Sequence, residues 1–202
     1  MANLRHRPLD NLKLAAIAQP TGDHGLDVGL AQRLPARMLN FRADLSNAKA
    51  KQAAETAIGI ALPTKAQQRS DDGSIWWLGP DEWMLTKPDR DAHPNWENDL
   101  RLSLDGHHIS LVDVSHQYEG FRVDGPLART LLAHVVTLDL HPRSMQANSV
   151  WQTVAAHCQI MLLVGADGKS FDVFTRRSFV TYIWQRLVDA AADMDLKVHP
   201  AV

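Results

Sequence analysis

The chain has a single cysteine, Cys158, and therefore no internal disulfide. That points to a cytoplasmic protein, with Cys158 a small buried hydrophobe. No apolar run approaches the ~20 residues that cross a bilayer. The N-terminus, Met1-Ala2-Asn3-Leu4-Arg5-His6-Arg7, is basic but leads into no apolar signal core. A formal net charge of −2 offers no electrostatic footprint for nucleic acid or anionic lipid. What is left is a globular chain of 202 residues with ordinary apolar (45%) and charged (22%) content, enough for one large domain or two small ones.

Catalytic signatures are scarce as well. There is no Gly-x-Ser-x-Gly elbow, and Asp113, Ser115 and His116 are near neighbours on one strand exit. A Ser-His-Asp triad is assembled from distant segments, so a polar strand exit is the favoured reading. Ten histidines are present, yet no His-x-x-x-His pair falls on a predicted helix and no Cys-x-x-Cys occurs. His107-His108 diverge at a strand start, and His157-Cys158 sits between two strands. The glycine-rich stretches Gly22-Asp23-His24-Gly25 and Val164-Gly165-Ala166-Asp167-Gly168 lack the Lys-Ser/Thr or helix entry of nucleotide loops. Asp71-Asp72 and Asp81-Glu82 are adjacent pairs suited to solvated turns. Arg176-Arg177 could grip a carboxylate or phosphate, hold a partner or cap a helix.

What the chain has in quantity is tryptophan. Trp76-Trp77-Leu78-Gly79-Pro80-Asp81-Glu82-Trp83-Met84-Leu85 carries three of the six, and it reads as a hairpin about a Gly-Pro-Asp turn. Alternation puts Trp77 on one face and Trp76 and Leu78 on the other. With helices under one face, the second needs another cover, either a sheet or another protein.

Around that hairpin the patterning predicts an α+β fold. Asn11–Ala18 is a possible strand and Gln19–Gly29 a loop. Arg37–Arg42 is a strand. Ser46 or Asn47 caps a helix bearing Ala50, Ala53, Ala54, Ala57 and Ile58, which Gly59 ends. Strands follow at Trp76–Leu78 and Trp83–Thr86. Pro94 then opens a helix bearing Trp96, Leu100 and Leu104, and His108–Val114 is a strand. The order strand-helix-strand-strand-helix-strand is the ferredoxin-like split βαβ. Three segments are expected: a 1–36 N-terminal arm and loop, a 37–115 ferredoxin-like subdomain, and a 116–202 second α+β subdomain. The last has strands at Tyr118–Val123, Val150–Ala156, Gln159–Val164 and Phe171–Phe174. Its helices begin at Gly125-Pro126 and Ser178. The final helix buries Phe179, Val180, Ile183, Trp184, Leu187, Val188 and Ala191.

Four blocks carry a resemblance. They are Trp77–Leu85, Val112-Asp113-Val114-Ser115-His116-Gln117, Val123–Ala128 with Leu138-Asp139-Leu140-His141-Pro142, and Arg177–Trp184. In this order and spacing the chain resembles the gamma subunit family of heterotetrameric sarcosine oxidase. The resemblance implies a complex that demethylates sarcosine to glycine, passes the one-carbon unit to tetrahydrofolate and makes hydrogen peroxide. It implies FAD, FMN, NAD, zinc and the folate site on the alpha, beta and delta subunits, and no catalytic, cofactor or metal site on this chain. It also implies a fold similar to the folate-binding region of the glycine-cleavage aminomethyltransferase. The expected interface, chiefly to alpha, is placed at Trp76, Trp83, Arg176 and Arg177. Three alternatives stay open: the small subunit of a related N-methyl amino acid oxidase or dehydrogenase, a stand-alone folate-binding protein, and a hydrolase using Asp113, Ser115 and His116.

Overall fold

A computed structural model describes residues 8–11 and 27–202. Within it the chain forms two compact units. One comprises residues 34–117 and 148–150; the other comprises the described residues up to Arg33, residues 118–147 and residues 151–202.

The first unit is built on a four-stranded antiparallel sheet. Its strands are β2 (Arg37–Ala43), β3 (Ile75–Gly79), β4 (Glu82–Lys87) and β5 (Ile109–Asp113), in the order β3-β4-β2-β5. Helices α1 (Ala48–Ile58) and α2 (Trp96–Ser103) connect β2 to β3 and β4 to β5. Each βαβ unit thus brackets a strand of the other, which is the expected split arrangement. The Asn47 side chain accepts from the Lys49 and Ala50 amides, and Gly59 closes α1 with φ 84°, a left-handed cap that costs glycine nothing. Pro94 stands just ahead of α2, whose N-cap is Asn95, rather than in its first turn.

Alternation sorts the side chains of this sheet. Leu39, Phe41, Ile75, Trp83, Leu85 and Leu111 form one core with Ala54, Leu100 and Leu104, and Trp77 packs against it. Trp76 falls on the opposite face, in register with Met84. That face is covered too, since Met38, Trp76 and Met84 are all buried. The segment before β3 runs along its edge, with the Trp77 amide donating to the Gln68 carbonyl at 3.0 Å.

The second unit holds a six-stranded sheet in the order β10-β1-β6-β9-β8-β7. Its strands are β1 (Val28–Gln32), β6 (Tyr118–Asp124), β7 (Val150–Ala155), β8 (Cys158–Val164), β9 (Phe171–Arg176) and β10 (Leu196–His199). Helices α3 (Ala128–Ala133) and α4 (Val180–Ala190) cover one face, where Leu30, Phe121, Leu162, Val173, Ile183 and Trp184 join one core. Phe121 meets Trp184 edge-on at 5.7 Å and 85°.

Three further expectations need correction. Asn11 ends a 3-10 turn, Pro8–Asn11, while the rest of the expected 11–18 strand and loop residues 19–26 lie outside the described residues. Val28–Gln32, expected as the end of a loop and part of the N-terminal arm, is a buried strand. It pairs with β6 antiparallel and with β10 parallel, and β10 itself carried no sequence expectation. A Cβ at Gly29 would lie 2.2 Å from Asp124 Oδ1 and 2.7 Å from His199 Nε2, so a larger residue would have to displace those side chains. Finally, α4 is capped at Phe179 and not at Ser178, and no side chain closes that end.

Candidate functional site

Asp113, Ser115 and His116 form a polar cluster at the exit of β5. Asp113 Oδ1 accepts from the Ser115 amide at 2.8 Å and from its hydroxyl at 2.5 Å. Asp113 Oδ2 lies 3.2 Å from Arg37 Nη1. The Ser115 oxygen in turn accepts the Met38 amide at 2.9 Å. Burial pushes the Asp113 carboxyl up, but the Ser115 hydrogen bonds and the Arg37 and His116 charges outweigh it and hold the group below its ordinary range. Ser115 is buried, and its proton is directed at a carboxylate. His116 is exposed, with Nδ1 3.4 Å from Arg90 Nη1. A Ser-His-Asp triad needs an imidazole at the serine hydroxyl, where Asp113 stands instead, so this cluster is a strand-end lock and no triad.

A second candidate is an open depression of about 540 Å³ lined by Asp124, Gly125, Pro126, Arg129, Asp167 and Lys169. Two of its charges are committed to the fold. The Arg129 guanidinium donates to the Leu140 carbonyl and, at 2.7 Å, to the Gly168 carbonyl, and it lies 4.9 Å above the Phe171 ring. Burial lowers its pKa. Asp167 Oδ1 accepts from the Lys169 and Ser170 amides and the Ser170 hydroxyl, each at 2.9 Å, and these bonds hold its pKa down. The Gly165–Gly168 stretch is therefore a hairpin turn between β8 and β9; Gly22–Gly25 lies outside the described residues. Among the described residues no group of three or more His, Cys, Asp and Glu side chains could hold a metal ion. Cys158 is half-buried against the core, and burial raises its thiol pKa.

The interface candidates divide. Trp83 is wholly buried; its ring lies 6.0 Å from Phe41 and its indole N–H donates to the Pro63 carbonyl at 2.8 Å. Trp76 is 4% exposed and donates to the Gly73 carbonyl at 2.9 Å. Trp83 belongs to the core of its sheet, and Trp76 on the opposite face is buried as well. Arg176 and Arg177 stand at the corner between β9 and α4, Arg176 exposed and Arg177 half-buried. β6 and β9 pair Arg176 with Tyr118, and the guanidinium sits 5.0 Å above the phenol ring.

The corner also holds two residues that patterning misplaced or passed over. Phe179, expected in the core, is 45% exposed, and Tyr182 is 42% exposed. At about 100° per residue, Phe179, Tyr182 and Arg186 fall on one stripe, which borders Ile183 and lies away from Trp184 and Leu187. The i+4 step from Phe179 to Ile183 suggested burial. The i+3 step to Tyr182 was the signal for the outer stripe.

Comparison with known proteins places this architecture. Residues 42–193 match the sarcosine oxidase gamma subunit family. The sarcosine oxidase subunit gamma of Corynebacterium sp. (strain U-96) is 27% identical over 140 residues, 68% of this chain and 66% of that one. A chain of the solved heterotetrameric sarcosine oxidase from Corynebacterium sp. U-96, in complex with pyrrole 2-carboxylate, superposes with a TM-score of 0.82. It is 25% identical, with 95% of this chain and 97% of that one covered. The glycine cleavage system aminomethyltransferase T of Bartonella henselae shares the fold at a TM-score of 0.62 and 14% identity. There 95% of this chain covers 51% of that protein. With residues 42–193 matched, the chain belongs to the sarcosine oxidase gamma subunit family.

Proposed function

We propose that this chain is the non-catalytic gamma subunit of a heterotetrameric sarcosine oxidase, supporting assembly of the complex in the cytoplasm. One observation carries the reading: nearly the whole chain superposes on nearly the whole of one chain of such a heterotetramer. The local chemistry agrees with it. The side chains that most resembled catalytic groups, Asp113 and Ser115, spend their hydrogen bonds on each other and on the β2 backbone.

In this reading the partners are the alpha, beta and delta subunits, chiefly alpha. The complex demethylates sarcosine oxidatively to glycine, with one-carbon transfer to tetrahydrofolate and formation of hydrogen peroxide. FAD, FMN, NAD, zinc and tetrahydrofolate are held by the other subunits. The test is a tagged pull-down from the native host, with intact-mass analysis and an absorption spectrum. Three further chains, a flavin spectrum and sarcosine-dependent peroxide are expected. Recovery of this chain alone and colourless, under gentle conditions, overturns the reading.

A further inference from the structure

We infer that the depression between the β6–α3 corner and the β8–β9 turn binds a small zwitterion of the amino-acid class, with its carboxylate on Arg129 and Lys169 and its ammonium on Asp124. The lining residues all belong to the unit of the six-stranded sheet.

Three observations carry it. First, Arg129 is fixed but not neutralised. Its guanidinium donates to the Leu140 and Gly168 carbonyls and lies over the Phe171 ring. Both acceptors are uncharged. Among the described residues no carboxylate pairs with it, and burial works against its charge. Two bonds leave three of the five guanidinium N–H groups, and a carboxylate is the acceptor that fits them. A half-buried cation also gains more from an added anion than one in open water.

Second, Lys169 and Asp124 supply one spare charge of each sign. Among the described residues neither side chain is in an ion pair or a hydrogen bond. The β6–β9 register sets Val123 opposite Phe171, so the Asp124 end of β6 runs beside the Lys169-Ser170 end of the turn. Counted with Arg129 and Asp167, the lining carries two charges of each sign. It therefore has no net field to favour a simple anion or a simple cation. A ligand bearing both charges satisfies both halves.

Third, the walls are set in advance. Arg129 ties α3 to the turn through the Gly168 carbonyl at 2.7 Å, and Asp167 Oδ1 holds the Lys169 and Ser170 amides at 2.9 Å. Groups already placed lose little freedom on binding. The space, about 540 Å³, falls within the range of small-molecule sites. Because the depression is open, water screens both pairings, and the expected Kd is about 1 mM.

The test uses the full chain, isotope-labelled, with backbone amide shifts followed by NMR. L-alanine, propionate and ethylammonium are each titrated at constant pH and ionic strength. Propionate lacks the amine of alanine, and ethylammonium lacks its carboxylate. L-alanine is expected to saturate the shifts of Gly125, Gly168, Lys169 and Ser170, with each single-charge probe at least about 10-fold weaker. Lys169→Gln and Asp124→Asn remove no ion pair or side-chain hydrogen bond of the described fold, and each should weaken L-alanine about 10-fold. Lys65→Gln, at an exposed lysine of the other unit, should bind as wild type. L-alanine that saturates no amide up to about 100 mM overturns the assignment. So does propionate that binds as tightly as L-alanine, which would make the depression a plain anion site. L-alanine binding left unchanged in both Lys169→Gln and Asp124→Asn overturns it as well, since the ligand would then sit elsewhere.

Discussion

The hydroxyl of Ser115 lies 2.5 Å from Asp113 Oδ1 and accepts the amide of Met38 at 2.9 Å, tying the exit of β5 to the start of β2. Replacing Ser115 with alanine leaves a buried Met38 amide without its side-chain acceptor. The expected cost is about 1–3 kcal/mol in urea unfolding of the isolated chain. Wild-type protein should take up no serine-directed phosphonate, because the hydroxyl is buried and faces a carboxylate. Stoichiometric labelling at Ser115 would restore the hydrolase reading.

Asp113 also sets a pH dependence. Its folded pKa lies below the reference 3.8 because the Ser115 bonds and Arg37 outweigh the effect of burial. A carboxyl with a depressed folded pKa stabilises the fold above its unfolded pKa. That contribution is lost as pH falls through the folded value. Wild type and Asp113→Asn should therefore differ most near neutrality and converge below pH 3.8, in melts from pH 7 to 2.5. A constant gap across that range would assign the difference to packing instead.

Trp83→Ala should destabilise the isolated chain by about 3–5 kcal/mol, the cost of deleting a large buried aromatic. The Pro63 carbonyl would also lose its indole donor. The change is expected in the thermal midpoint of the lone subunit, before any partner is added. Normal stability of the lone chain with weakened assembly would instead return Trp83 to the interface.

Gly29→Ala should destabilise the chain by about 1–3 kcal/mol through overpacking. The new methyl would press on Asp124 Oδ1, at 2.2 Å, and on the His199 ring, with Nε2 at 2.7 Å. Both are side-chain ends, so relief is local. Asp124→Ser in the Gly29→Ala background should recover part of the loss, and a double-mutant cycle measures the coupling. Strict additivity would place the strain elsewhere.

Much of this fold was legible because its signals are local. The α1 caps at Asn47 and Gly59, the two-residue alternation of Trp76, Trp77 and Trp83, and the α4 stripe from Val180 to Leu187 each lie within a turn or a strand of their own cause. The first two suffice, with the strand patterning around them, for the split βαβ order of residues 37–114. The four residue blocks likewise sufficed for the family, since they depend on identity and spacing alone.

Other features were decided by the tertiary structure, for one physical reason: burial and strand pairing depend on groups far apart in the chain. Val28–Gln32 reads as the tail of a Gly- and Asp-rich loop, yet it is a central strand because β6 and β10 supply its hydrogen bonds from some ninety and one hundred and seventy residues away. Trp76 and Trp83 look like partner anchors until the structure shows both buried, each indole donating to a carbonyl of the chain. Phe179 has the spacing of a core residue but is the N-cap of α4, ahead of its first helical residue, and is exposed there. Local pattern set which elements form, and long-range packing set which side chains remain for a partner.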